Sequence, residues 1–318
     1  MNSWSESLIV PLRDTEWLIS TISEITGQNP DCVRQRLRNE HFSLPHEVPR
    51  EFFFKKLTPY VYDERMVRFY EETDSFLYEI IGWNRLRMKC VIREWILARL
   101  QKWGVATGRI LLCGDGIGVD SFYFAQNGYD VTSFEVSCYG VAFAKKMFAG
   151  QPFHVSIADS LESLTPGTFD AVLCLDVLEH LPDPLQAVQQ LASLLRPGGF
   201  FFASSPFYLV AKAWPTHLRS NRKFAGKVRV FEKAGTMKWV DGRFLQNPIV
   251  FQRLGAPLLP PLSIFRFLFL GYGSCWLRIF AAFPRLTPFV IRRLFRWDRQ
   301  LQQLRPFPKS SGSTSRTE

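Results

Sequence analysis

The 318-residue sequence contains no C-x-x-C pair and no histidine cluster at metal-ligand spacing, and no uncharged apolar stretch reaches the ~20 residues that a bilayer-spanning helix needs. The six cysteines, Cys32, Cys90, Cys113, Cys138, Cys174 and Cys275, are scattered. That spacing excludes a disulfide framework or a zinc site and suits reduced thiols in a cytoplasmic protein, so no metal is expected. The opening MNSWSESLIVPLRDTEW has no basic stretch leading into a long apolar one, and no signal peptide is expected from it. Acid is scarce at the other end. Residues 201–318 hold 4 Asp/Glu against 20 Lys/Arg, a balance of +16, whereas residues 1–200 balance at −6. Such asymmetry points to an anionic partner surface for the last third. The 47% hydrophobic content excludes wholesale disorder, and the length allows one large domain or two ordinary ones.

Against these absences stands one concentrated feature, Gly114-Asp115-Gly116-Ile117-Gly118. It closes the apolar run Ile110 to Cys113, which reads as a buried strand, and leads into Val119 to Ala125, whose apolar spacing suits a helix packed back on a sheet. Glycine permits φ > 0 and close approach of backbone to a ligand, and the helix start offers free N–H groups to something anionic. The spacing is G-x-G-x-G, not the G-x-G-x-x-G of nicotinamide-binding turns. By itself such a turn can also be purely structural.

Residues 1–107 read as a helical cap, most regular from Phe76 to Trp103, where the pattern shows no chemistry. Tyr70, Glu71, Glu72 and Asp74 either line a ligand mouth or form a solvated first turn. From residue 108 strands and helices alternate: strands over 130–136, 153–157, 169–175 and 200–204, helices over 139–148 and 185–195. This order predicts an α/β fold with a doubly wound, mostly parallel sheet covered on both faces. Ligands of such sheets sit at the carboxyl ends of the strands, and Glu135, Asp159 and Asp176 fall there. Glu135, about 20 residues beyond the glycine turn, is placed to hold a ribose diol. Asp159 could accept from the exocyclic amine of an adenine. For each acid taken singly, a helix cap or surface carboxylate is the plain alternative.

With these residues in view, the stretch 108–205 resembles the class I S-adenosylmethionine-dependent methyltransferases, of the group that includes the ubiquinone-biosynthesis O-methyltransferases. LLCGDGIG at 111–118, FDAVLCLDVLEHLPDP at 169–184 and LLRPGGFF at 194–201 carry the resemblance, in the family's order. It implies S-adenosylmethionine as cofactor, with Gly114, Gly116 and Gly118 around its methionyl part, Glu135 on the ribose and Asp159 on the adenine. Leu175, Asp176, Glu179 and His180 would line the active site. The family's acid two positions before the first glycine is Leu112 here, which makes Asp115, inside the turn, the candidate substitute. The family's closing reversed hairpin is expected from Thr236–Val240 and Asn247–Gln252. That sets the methyltransferase domain at 108–253, with a segment from Trp214 to Lys227 that varies with substrate.

The expected activity is methyl transfer to an oxygen or nitrogen of a small-molecule or lipid-linked acceptor, largely by positioning, with His180 and then His217 as candidate bases. Gly116→Val and Glu135→Ala are expected to weaken cofactor binding with little loss of fold. Two other readings share parts of the pattern: a nicotinamide-dependent oxidoreductase, and a catalytically idle protein of this fold that binds a membrane or complex. Residues 254–308 form a basic, apolar extension, with arginines at 266, 278, 285, 292, 293 and 296 and prolines at 257, 260, 261, 284 and 288 that divide it into short pieces. Such pieces are expected to lie on an anionic membrane surface through residues 254–305, at the inner face, with guanidinium groups at the phosphates. A lid or dimer surface is the alternative, and nucleic acid fits less well because each arginine's neighbours are apolar. Residues 309–318 read as a disordered tail.

Overall fold

The computed structural model describes residues 9–283 together with 287, 289, 290 and 293. The expected tail at 309–318 and most of 284–305 lie outside the described residues. The centre is a seven-stranded sheet: β1 (Arg109–Cys113), β2 (Asp130–Phe134), β3 (Val155–Ile157), β4 (Phe169–Leu175), β5 (Leu195–Ser204), β6 (Met237–Gly242) and β7 (Ile249–Arg253). Their order is β3-β2-β1-β4-β5-β7-β6. β1 to β5 pair in parallel, and β7 runs antiparallel to both of its neighbours. The expected doubly wound sheet with its reversed hairpin is present.

Strand alternation divides the core in two. Leu111, Val172, Cys174, Phe201 and Phe251 face one side, where α9 (Pro184–Leu194) and α10 (Val228–Gly235) cover them. Ile110, Leu112, Leu173, Phe202 and Val250 face the other, under α6 (Arg87–Lys102) and α7 (Val119–Gln126). Side chains two apart share a face, so each run buries both faces only because helices lie on both.

Of the N-terminal helices α1 (Thr15–Thr26), α2 (Pro30–Phe42), α3 (Glu47–Phe54), α4 (Glu64–Glu72) and α5 (Ser75–Asn84), α3 and α4 share a small cluster of their own, Val48, Phe52, Met66 and Phe69, whereas α1, α2 and α5 pack on the sheet domain. Leu18, Ile22, Leu77 and Ile81 pack with Val119 and Phe122 of α7 and with Phe143 and Met147 of α8 (Cys138–Phe148). An ion-pair cluster locks the same helices together: Arg36 bonds Glu47 at 2.9 Å and Asp74 at 2.6 Å.

Two features differ from the sequence-based expectation. β5 starts at Leu195 and takes in Arg196-Pro197-Gly198-Gly199, which the pattern reads as a turn. Leu195 pairs with Phe169 ahead of a register shift, and a Cβ on Gly199 would lie 3.0 Å from the Asp170 carbonyl, so glycine lets this strand pass close along β4. The extension is not a string of short pieces either. Ile264–Ala282 is one helix, α11, of 19 residues, capped by the Ser263 hydroxyl accepting from the Arg266 N–H at 3.3 Å. Pro261 and Pro284 bound it; no proline falls within.

Candidate active site

The glycine turn leaves β1 with Gly114, Gly116 and Gly118 at φ of 71°, 63° and 81°, in the left-handed region. Neighbours fill the space a side chain would need. A Cβ on Gly114 would stand 2.5 Å from Val177 Cγ2, one on Gly116 2.6 Å from Ile80 Cδ1, and one on Gly140 2.4 Å from the Gly116 carbonyl oxygen. Ile80 belongs to α5, so the N-terminal helices lie directly on the turn. The expectation that Gly116→Val spares the fold is therefore corrected: the valine would carry both backbone strain and a clash with α5.

Glu135, one residue past β2, turns its carboxylate back onto this turn. Oε2 accepts from the Gly116 N–H at 2.7 Å, and Oε1 accepts from the Val136 and Ser137 N–H groups at 2.8 Å. An ionised carboxylate has about four acceptor sites, which leaves capacity for a hydroxyl. Burial raises its pKa even though these donors oppose the rise. Asp115 lines the cavity described below, as expected, and also closes the helix start. Its two oxygens accept from the Asp120 and Ser121 N–H groups at 3.0 and 2.8 Å, closing the first turn of α7, and burial with the nearby Asp120 raises its pKa to about 7.

At the end of β4, Asp176 adopts a left-handed φ of 60°. Its carboxylate accepts from the Ser204 hydroxyl at 2.9 Å and pairs with Lys89 of α6. Strain of this kind persists where the surroundings over-determine it. Asp159 is the strand-end acid that the structure does not bring in: it is exposed beyond β3 and is not among the residues lining the cavity described next.

A cavity of about 750 Å³ runs between the turn and the N-terminal helices. Gly114, Asp115, Gly116, Glu135, Leu175 and Asp176 form its sheet side. Phe76, Glu79, Ile80 and Trp83 of α5 form the cover, and Tyr208, Trp214, Phe244 and Leu245 complete an apolar wall, with Arg243, Gln246 and Asn247 beside it. Within it the motif after β4 makes a 3-10 turn, Leu178–His180. The Asn221 amide fastens that turn by donating to the Glu179 and Leu181 carbonyls at 3.2 and 2.8 Å.

His180 Nδ1 lies 2.8 Å from the Tyr70 hydroxyl and 3.2 Å from the Thr216 carbonyl oxygen. The His217 ring meets it edge-on at 4.7 Å, with its own Nδ1 unbonded among the described residues. Burial drives the His180 pKa down to about 4 and moves that of His217 in the same direction. Both imidazoles are therefore neutral at pH 7. Glu179 is fully buried beside them, with His180 Nε2 3.8 Å from its Oε1 and no hydrogen bond to either oxygen among the described residues, and burial together with Asp176 pushes its pKa well up. Glu179, His180 and His217 bring ligand-type atoms within 4.8 Å of one another, a donor set with room for a divalent cation that the cysteine and histidine spacing did not disclose.

Glu79 is the cavity residue that sequence reasoning missed. One oxygen accepts from the Trp83 indole N–H at 3.3 Å and the other is buried without a partner. Burial raises its pKa to about 7. Its only trace in the sequence is a lone acid within the apolar run Phe76 to Trp83.

Comparison with known proteins agrees with this geometry. A methyltransferase domain model matches residues 111–203, from β1 to the end of β5. The ubiquinone biosynthesis O-methyltransferase of Xanthomonas campestris pv. campestris strain B100 is 34% identical over 116 residues, 35% of this chain and 47% of that protein. The enzyme of the same name from Aromatoleum aromaticum is 35% identical over 150 residues, 45% of this chain and 59% of that one. The chain thus spans about half the length of the curated relatives it matches. A solved S-adenosylmethionine-dependent methyltransferase from Methanosarcina mazei aligns at 13% identity over 50% of this chain and 98% of its own, with a TM-score of 0.38. The glycine turn, the strand-end carboxylates and the matched segment coincide, and residues 111–203 are a class I S-adenosylmethionine-dependent methyltransferase domain.

Proposed function

We propose that this chain moves a methyl group from S-adenosylmethionine to an oxygen nucleophile of an acceptor held against the apolar wall of the cavity. The observation that carries the reading is a single cavity that joins the glycine turn and Glu135 on one side to a buried, partly unbonded carboxylate, Glu79, on the other. The cofactor, when bound, supplies a methyl already activated by its sulfonium. Glu135 has acceptor capacity left for a ribose hydroxyl, and Asp176 with Ser204 and Lys89 forms a polar end at the β4 tip. The α5 helix keeps water off the turn. Positioning donor and acceptor in line then supplies most of the acceleration. The relatives' names favour oxygen over nitrogen as acceptor.

Where the acceptor keeps its proton, Glu79 is the base this geometry favours. A base works best with a pKa near the operating pH, which Glu79 meets at about 7 and His180 at about 4 does not. In that role Glu79 would take up the acceptor's proton, and a bound cofactor would supply the methyl. His180, held by Tyr70 and Thr216, is a positioning residue in this scheme.

Calorimetry tests the cofactor half. S-adenosylhomocysteine should bind at one site and NAD should not. Binding of NAD alone would favour the oxidoreductase reading; binding of neither would leave only an idle fold.

A further inference from the structure

The helix α11 is apolar on two faces and uses only one of them. Leu270, Gly273, Ser274 and Leu277 make the inward stripe. Gly273 sits so close to the backbone N of Leu245 that a Cβ would stand 2.9 Å from it, and Ser274 accepts from the Gln246 amide at 2.9 Å. On the opposite side Phe265, Leu268, Tyr272, Cys275 and Ile279 recur at three- and four-residue steps, all exposed, Phe265 to 83%. A helix that is hydrophobic all round is a buried helix, and a contiguous exposed apolar face marks a surface that something covers.

Charge selects the occupant. The last third balances at +16, and Arg285, Arg292, Arg293 and Arg296 follow the helix in sequence with no acid before Asp298. A second copy would bring like charge to like charge, whereas an anionic bilayer offers apolar depth beneath a negative surface. Both arginines within the helix bond the fold: Arg266 donates to Asp241 at 2.9 and 3.1 Å, and the exposed Arg278 to the Gly226 carbonyl at 3.2 Å. By length and composition α11 could cross a membrane, but spanning would strip its inward stripe from 245–246 and from Gly226. It can keep those contacts only by lying flat.

The helix also carries a wall of the cavity. Phe244, which lines it, meets Phe269 and Tyr272 at tilted ring angles, with centroids at 5.0 and 6.2 Å, and Leu245 and Gln246 join the same wall. We infer that α11 lies in the surface of an anionic bilayer, outward stripe down, and that the acceptor is a long-chain amphiphile reaching the cavity past residues 244–247. The acceptor part rests on the methyltransferase reading above; the docking part does not.

Flotation of the full chain tests the docking, using phosphatidylcholine vesicles with and without phosphatidylglycerol. The chain should float with the anionic vesicles, less with the neutral ones, and come off in alkaline carbonate. The Phe265→Asp/Leu268→Asp variant should lose bound protein at least about tenfold while keeping its melting temperature and its affinity for S-adenosylhomocysteine. A native chain that ignores both vesicles overturns the inference, as does a variant that floats like the native chain. So does carbonate-resistant retention, which would mean a spanning helix, or a dimer that the variant dissolves. Vesicle binding without any affinity for S-adenosylhomocysteine would leave the docking intact and sink the methyltransferase reading instead.

Discussion

The two sides of the cavity are built on different principles. On the sheet side, the groups around the glycine turn are fixed by neighbours close in the strand-turn-helix frame: Glu135 bonds the N–H of Gly116, Val136 and Ser137, and Asp115 bonds Asp120 and Ser121, with Asp176, paired to Lys89 of α6, the exception. On the cover side, the partners come from far along the chain. Tyr70 meets His180, the Tyr60 N–H donates to the Pro215 carbonyl at 2.8 Å, and Ile80 rests on Gly116. In the proposed function binding chemistry belongs to the first and water exclusion with base chemistry to the second, so the two should fail differently when altered.

The largest effect is expected where the sides cannot yield. A Cβ at Gly140 meets a backbone oxygen, not a flexible side chain tip, so Gly140→Val should cost at least ~1–3 kcal/mol and displace the turn. Thermal unfolding and calorimetry should fall together; an unchanged melting temperature would show that the turn is looser than described. Next comes the cover's carboxylate. Glu79→Gln should lower kcat by ~10²-fold while S-adenosylhomocysteine binds as before. Because Glu79 acts ionised and its pKa is about 7, native kcat/KM should rise with pH through that value, and the glutamine variant should lack the rise. The stability sign is opposite. A carboxyl raised above its ordinary value favours the folded state while protonated, so its contribution is lost as pH rises from about 4.5 towards 7. Replacing it with glutamine should flatten that part of the stability profile.

The smallest contrast lies within the sheet side and sharpens it most. Glu135→Ala should weaken S-adenosylhomocysteine binding by roughly tenfold, since it removes both the loop fastening and the ribose acceptor. Asp159→Ala should change it less than about twofold, because exposed surface substitutions away from a site do little. Equal losses in the two variants would restore Asp159 to the cofactor site.

What the sequence disclosed follows the same division. The apolar run into Gly114, the acid after the second strand and the Asp176 to His180 motif were legible because each is set within one strand-turn-helix unit. Asp115 was legible as a site residue, but its bonds to the helix start five and six residues on were not, because the same spacing fits a ligand acid. Glu79 was hidden because helical periodicity shows that α5 has an apolar face but not which distant surface that face meets. The bond between Tyr70 and His180 joins residues 110 apart, which no local pattern encodes. For α11 the prolines suggested short pieces where the fold has one 19-residue helix, and the arginines in it look free in sequence but are tied to Asp241 and Gly226 in the fold.

The shared packing of α1, α2 and α5 with α7 and α8 separates two kinds of boundary. The matched segment begins at residue 111, yet Val119, Phe122, Phe143 and Met147 within it depend on Leu18, Ile22, Leu77 and Ile81 outside it to be dry. Excised at the limits of its homology, the segment would present that apolar surface to water. The stretch that matches as a recognisable unit is therefore shorter than the stretch that packs as one, and α1, α2 and α5 are structural members of the body that carries the glycine turn.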